Sequence, residues 1–169
     1  MAAMRPAPPR IGIDLGGTKI AGIALAAGDR VLAEQRVAAP WGDYVSTIQA
    51  IRDLVSTLQR ESDQGIGSVG IGMPGSIHPM TGRVQNANST WLNGRPLKED
   101  LEAALGQAVR LANDANCFAL SEAADGAARG ARSVFGVILG TGCGGAFVHR
   151  GQLIDGPLAI GGEWGHNPL

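Results

Sequence analysis

The chain has 169 residues, a formal net charge of −1, 44% apolar residues and 17% charged residues. That length suits one domain, or one domain and part of another. The composition can build a packed core, and its charge balance points to neither a nucleic-acid nor a membrane-surface partner. No apolar run reaches the roughly 18 residues of a membrane span, and residues 1–10 lack the apolar core of a signal peptide. Cys117 and Cys143 form neither a CxxC pair nor a disulfide scaffold, so they read as reduced thiols of a cytoplasmic protein.

Residues 1–9 read as a disordered, Pro-rich leader. Residues 10–15 form an apolar run that ends at Gly16-Gly17, and residues 19–25 and 31–37 follow as strands around the Gly28-Asp29 turn signal. This predicts an antiparallel three-strand meander. Between Asp43 and Arg60 the spacing changes: Val45, Ile48, Ile51, Val55 and Leu58 recur at helical intervals behind a capping Asp43. Further strands are expected at 69–73, 109–112, 134–139, 146–149 and 152–154, with helices at 97–105, ending near Gly106, and at 114–128, capped by Asn113 or Asp114. The sum is an α/β chain with a mixed sheet over residues 10–130 and a second meander beginning near 131. The strand–Gly-loop–strand units at Asp14 and at Leu139 are weakly alike, as two related lobes facing each other would be.

Four segments carry candidate chemistry. Asp14-Leu-Gly-Gly-Thr-Lys19 is neither a Walker loop nor GxGxxG, and no helix pattern follows it. Paired glycines between two strands let backbone N–H groups converge on a phosphate, with Thr18 adding a hydroxyl and Lys19 a charge, while Asp14 could hold a hydrated Mg²⁺. The alternative is a tight hairpin with a solvated Lys. Gly140-Thr-Gly-Cys-Gly-Gly145 follows another apolar strand, and its four glycines fit a second phosphate-facing loop or a sharp turn. Asn113-Asp114 stands at a strand end, where Asp114 could cap the helix or act as a general base toward a sugar hydroxyl. In Gly161-Gly-Glu-Trp-Gly-His166, Glu163 and His166 could face one sugar, or be a solvated charge and a satisfied imidazole; His166 could also ligate a metal. Gly75, after Pro74, and Asn88, in a polar loop, are candidate substrate contacts as well as turn residues.

The order DLGGTK, GIGMPG, NDAN, GTGCGG, GEWGH resembles the ROK family (repressors, open reading frames and sugar kinases) from Arg10 to Leu169. The 75–94 and 111–117 stretches look like its bacterial fructokinase or manno(fructo)kinase branch, with N-acetylglucosamine kinases as near relatives. The resemblance implies an actin-like, ribonuclease-H-like fold of two lobes with the site in the cleft. It implies ATP phosphates held by Gly12, Asp14, Gly16, Gly17, Thr18 and Lys19 on one side and by Thr141, Gly142, Gly144 and Gly145 on the other. Asp114 would be the base for the sugar 6-hydroxyl, and Asn113, Glu163 and His166 would bind sugar hydroxyls, with His166 also on a structural Zn²⁺ whose cysteine ligands come later in the family. The resemblance also implies a homodimer at full length. Ala146 stands where many relatives have a third glycine, and the family pattern continues past Leu169 through the zinc loop and most of the second lobe. The expected activity is ATP-dependent phosphorylation of a hexose, fructose first. An inactive truncated fragment and a sugar-sensing transcriptional regulator are the alternatives, the latter disfavoured because about ten residues before the first strand cannot hold two DNA-binding helices.

Overall fold

The computed structural model describes residues 8–63, 67–139 and 143–165. The chain runs β1 (Arg10–Leu15), β2 (Lys19–Leu25), β3 (Val31–Ala38), α1 (Tyr44–Ser62), β4 (Ser68–Met73), β5 (Ser76–Ile77), β6 (Val84–Gln85), α2 (Leu97–Leu105), β7 (Val109–Asn113), α3 (Asp114–Ala124), β8 (Ser133–Leu139), β9 (Cys143–His149) and β10 (Gln152–Leu153). The first sheet has the order β3-β2-β1-β4-β7. Its first three strands are the expected meander, and β1, β4 and β7 run parallel. A second sheet has the order β10-β9-β8 and is antiparallel throughout.

Strand alternation divides the first sheet into two unlike faces. Ile11, Ile13, Leu15, Val69, Ile71 and Met73 point to the buried side, against the helices. There α1 places Ile51, Leu54, Val55 and Leu58, all buried at helical spacing. A Cβ on Gly22 would lie 2.7 Å from Leu58 Cδ1, so this glycine admits the helix to the sheet. Asp43 caps α1 by accepting from Ser46 N at 3.0 Å, as expected. Val45 was expected on the apolar stripe but is 63% exposed. Thr47 is buried instead, its hydroxyl donating to Asp43 O at 2.7 Å. The helix face is therefore turned by its cap, which periodicity alone does not resolve.

The opposite face is nearly bare. Register aligns Ile23, Gly12, Gly70 and Arg110 in one row and Ala21, Asp14, Gly72 and Ala112 in the next. The second core forms where α3 lays Ala115 and Ala119 on Ala146 and Val148. A Cβ on Gly136 would come within 2.9 Å of Ala119 Cβ, so that glycine allows close helix–strand contact. Thus α3 joins the second core, although its place in the chain put it with the first lobe. Pro9, read as part of the leader, is fully buried. The short β5–β6 hairpin had no sequence signal strong enough to place it, while the Pro74-Gly75 turn before it was expected.

Candidate active site

Three parallel strands end together, and the first-lobe candidates other than Asn88 lie in or just after those strands. This is where open α/β sheets hold ligands. β1 delivers Asp14 and the Gly16-Gly17-Thr18 turn, β4 delivers Pro74-Gly75, and β7 delivers Asn113 and Asp114. A cavity of about 860 Å³ runs from these ends down the bare face of the sheet, lined by Gly12, Asp14, Gly70, Gly72, Asp114 and Cys117 among others. Asp14 pairs in register with Gly72, and Gly72 with Ala112, at the end of β7 beside Asp114. The two carboxylates therefore flank a strand that carries no side chain between them.

The first glycine turn closes by Gly16 N donating to Lys19 O at 3.0 Å. A Cβ on Gly16 would press on that same carbonyl at 2.9 Å, and neither Gly16 nor Gly17 has a positive φ. Close approach, rather than a left-handed conformation, is the reason for Gly16, whereas a Cβ on Gly17 would make only an ordinary contact with Ser89 Oγ at 3.5 Å. Thr18 and Lys19 are exposed. Thr18 O accepts from Ala39 N at 3.0 Å, which ties the turn to the end of β3.

Gly75 is fixed more strictly. Its φ is +72°, and a Cβ there would lie 2.3 Å from Gln85 O and 2.6 Å from Ala87 N. Its carbonyl accepts from Asn113 Nδ2 at 2.9 Å, while Asn113 Oδ1 accepts from Asn116 N at 3.2 Å. Asn113 therefore caps α3 and pins the Gly75 turn at once. Asn113 is thus the cap of the two candidates, and the Asp114 side chain accepts from the next backbone N–H, Ala115 N at 2.9 Å. Burial raises the Asp114 pKa above the ordinary 3.8, the Ala115 N–H opposes this, and the charge of Asp14 adds to the rise. Burial likewise raises the Cys117 thiol, with Asp114 and Asp14 contributing, which disfavours a reactive thiolate. Asn88 is exposed on a loop that Asn93 holds shut, donating to Ala87 O and accepting from Ala87 N, both at 2.9 Å.

On the second lobe the geometry differs from expectation. Gly144 and Gly145, read as part of a phosphate-facing loop, lie inside β9. A Cβ on Gly145 would sit 2.7 Å from Trp164 Cδ1, and Trp164 Nε1 donates to Gly144 O at 3.2 Å. Packing of the indole leaves no room for a side chain at Gly145, whereas a Cβ on Gly144 would make only an ordinary contact with Ala115 Cβ at 3.7 Å. Thr141, Gly142 and His166 lie outside the described residues. The segment bearing Glu163 crosses β9, and the two lobes meet where Gln85 Nε2 donates to Leu158 O at 3.0 Å.

An exposed carboxylate at Asp14, beside a second carboxylate and open solvent, fits a hydrated Mg²⁺. Zinc finds no comparable donor set: among the described residues no three His, Cys, Asp or Glu side chains converge. Among the described residues, no helix is long and apolar enough to cross a membrane. Sequence reasoning missed Cys117, Gln85, Asn93, Trp164 and the bare row of Gly70 and Gly72. Only the last left a trace, in the period-2 glycines of an otherwise apolar strand.

The chain matches the ROK family over residues 10–169. It is 44% identical over 159 residues to the N-acetyl-D-glucosamine kinase of Vibrio cholerae, covering 94% of this chain and 52% of that protein. Among solved structures it superposes on the ROK hexokinase of Thermus thermophilus with a TM-score of 0.82 and 34% identity, over 95% of this chain and 53% of that one. It also superposes on a ROK family glucokinase of Streptomyces griseus in complex with glucose and AMPPNP, with a TM-score of 0.82 and 31% identity, over 94% and 50% of the two chains. The chain spans about half the length of the curated relatives it matches. These three relatives are named for N-acetylglucosamine, hexose and glucose rather than fructose, so the family is shown but the fructokinase branch is not. The structural matches show the actin-like α/β fold with its mixed sheet, and with the family match spanning both lobes from β1 onward, this chain belongs to the ROK family.

Proposed function

We propose that this chain is the nucleotide- and sugar-facing part of an ATP-dependent hexose 6-kinase. One observation carries the reading: β1, β4 and β7 bring Asp14 and Asp114 to one cavity, with Gly72 bare between the carboxylates, and the glycine turn follows directly on β1. Gly16 N–H is engaged within its turn. Phosphate contacts therefore fall to the N–H groups of Gly17 and Thr18 and to the Thr18 hydroxyl, with Lys19 nearby. Asp114 takes the proton of the sugar 6-hydroxyl as that oxygen bonds to the γ-phosphorus and the bond from γ-phosphorus to the β-phosphate oxygen breaks. Asp14 would hold a hydrated Mg²⁺, which when bound would supply charge neutralisation for the phosphates.

Asn113 orients this end of α3 and the Gly75 turn, which places the backbone beside the sugar. Glu163, His166 and Asn88 supply further hydroxyl contacts, and Thr141 and Gly142 complete the phosphate side. The relatives' names put N-acetyl-D-glucosamine first among substrates. Fructose, which the motif resemblance favours, comes second. We place the enzyme in the cytoplasm as a homodimer, consistent with two free thiols at Cys117 and Cys143.

The test is a coupled ADP-release assay on the protein at its natural length, with N-acetyl-D-glucosamine, fructose, mannose and glucose. Asp114→Asn should lower kcat by about a thousandfold while ATP affinity, read by calorimetry, stays within about twofold. A variant that keeps its kcat removes Asp114 as the base. A wild-type protein that phosphorylates none of the four sugars removes the kinase reading itself.

A further inference from the structure

The glycines of the second lobe have an unexpected partner. Segment 162–165 is laid on β9 at backbone distance. A Cβ on Gly162, where φ is +90°, would lie 2.7 Å from Ala146 Cα. A Cβ on Gly165 would lie 2.0 Å from Cys143 O, and one on Gly145 would lie 2.8 Å from Trp164 Nε1. The indole fills the space that Gly145 leaves and donates to Gly144 O at 3.2 Å. On its other side Gly144 meets the first turn of α3: a Cβ there would be 3.7 Å from Ala115 Cβ, and Ala115 follows Asp114 in the chain. Strand β9 therefore lies between Trp164, seated on Gly145, and the first turn of α3, where Ala115 shares a buried cluster with Ala146 and Val148 next to Asp114.

We infer that Trp164 is a positioning residue, whose indole, seated on the Gly144-Gly145 pair, sets the placement of Glu163 relative to Asp114 and so the fit of the sugar. The inference rests on the kinase reading for the roles of Glu163 and Asp114. Its physical basis is that two groups on different elements can hold one small ring only if the contact joining those elements is rigid. The indole, 40% exposed, sets its Cδ1–Nε1 edge on the bare backbone at Gly145 and is held there by one hydrogen bond, which makes it such a contact. Alanine at 164 leaves a void and frees the segment to shift. Phenylalanine keeps the plate and loses only the N–H donor. Alanine at 145 drives a methyl into the place of the indole.

The experiment compares Trp164→Ala, Trp164→Phe, Gly145→Ala and the Gly145→Ala/Trp164→Ala double variant, at natural protein length. Sugar affinity by calorimetry and KM for sugar and for ATP are measured for each. Trp164→Ala should weaken sugar binding about tenfold or more while KM for ATP moves less than about twofold, and Trp164→Phe should recover sugar affinity to within about threefold of wild type. Gly145→Ala should resemble Trp164→Ala, and the double variant should be no worse than either single one, since both remove the same contact. Sugar affinity unchanged in Trp164→Ala, or sugar and ATP weakened alike, overturns the inference. If wild type binds sugar without transferring phosphate, the kinase reading fails while the affinity series still decides this one. If wild type binds no sugar, both fall.

Discussion

Asp114 shows how a residue's neighbours set its chemistry. The Asp114 carboxyl is partly buried, burial is the largest cause of its raised pKa, and the charge of Asp14 adds to it. Its proton is therefore held more tightly in the folded chain than in the unfolded one. The associated stability is fully present below about 3.8, the unfolded value, and is lost as pH rises through the raised folded pKa. Catalysis by the proposed base has the opposite sign, because the ionised form must be present and activity falls as pH drops through that same pKa. A ¹³C NMR titration of the Asp114 carboxyl should give a midpoint above 3.8. Asp14→Asn should bring the midpoint down, since it removes a charge that raises it. A midpoint unmoved by Asp14→Asn would show that the two carboxylates do not interact. The identity of this Asp and its place after a strand were legible in the sequence. That Asn113 rather than Asp114 caps the helix was not, because both residues are good caps and only the fold shows which side chain turns back on the helix.

At the scale of elements, Asn113 joins the end of β7, the start of α3 and the Gly75 turn. Its carboxamide is 8% exposed and is bonded at both ends. Asn113→Ala removes a cap and leaves Gly75 O without its donor, a loss of about 2 kcal/mol by urea unfolding. Asn113→Asp keeps the capping acceptor and loses only the donor, so its midpoint should fall between wild type and the alanine variant. An alanine variant as stable as wild type would show that the hinge between β4 and α3 does not depend on this side chain. Most elements were legible here: the meander, α1 with its Asp43 cap, and α2 ending at Gly106 with φ +66° all follow from local signals. The glycines at 144 and 145, expected in a phosphate-facing loop, lie within β9, with the Trp164 indole against Gly145. A bare position looks the same in sequence whether a phosphate or an indole occupies the space.

For the whole molecule, the two sheets are unequally covered. The first has α1 and α2 on one face and an open cavity along the other. On the second, α3 covers one face, while Phe135, Val137 and Leu139 on β8 are 50%, 40% and 76% exposed in one row. A contiguous apolar row on an edge strand favours association. The 169-residue polypeptide by itself should therefore self-associate with rising concentration in sedimentation velocity, and Phe135→Lys with Val137→Lys should shift it toward monomer. A wild-type polypeptide that stays monomeric at about 100 μM would show that this face is tolerated in water. By itself the sequence determined the order of strands and helices and the chemical kinds of residue at their ends, because periodicity and turn chemistry are local properties. Only the tertiary structure decided which strand ends meet, how a bare glycine row opens a cavity between Asp14 and Asp114, and that Trp164 occupies the glycine pair. Those are contacts between residues 30 to 100 positions apart in most cases, and they depend on sheet order and packing rather than on any stretch of the chain.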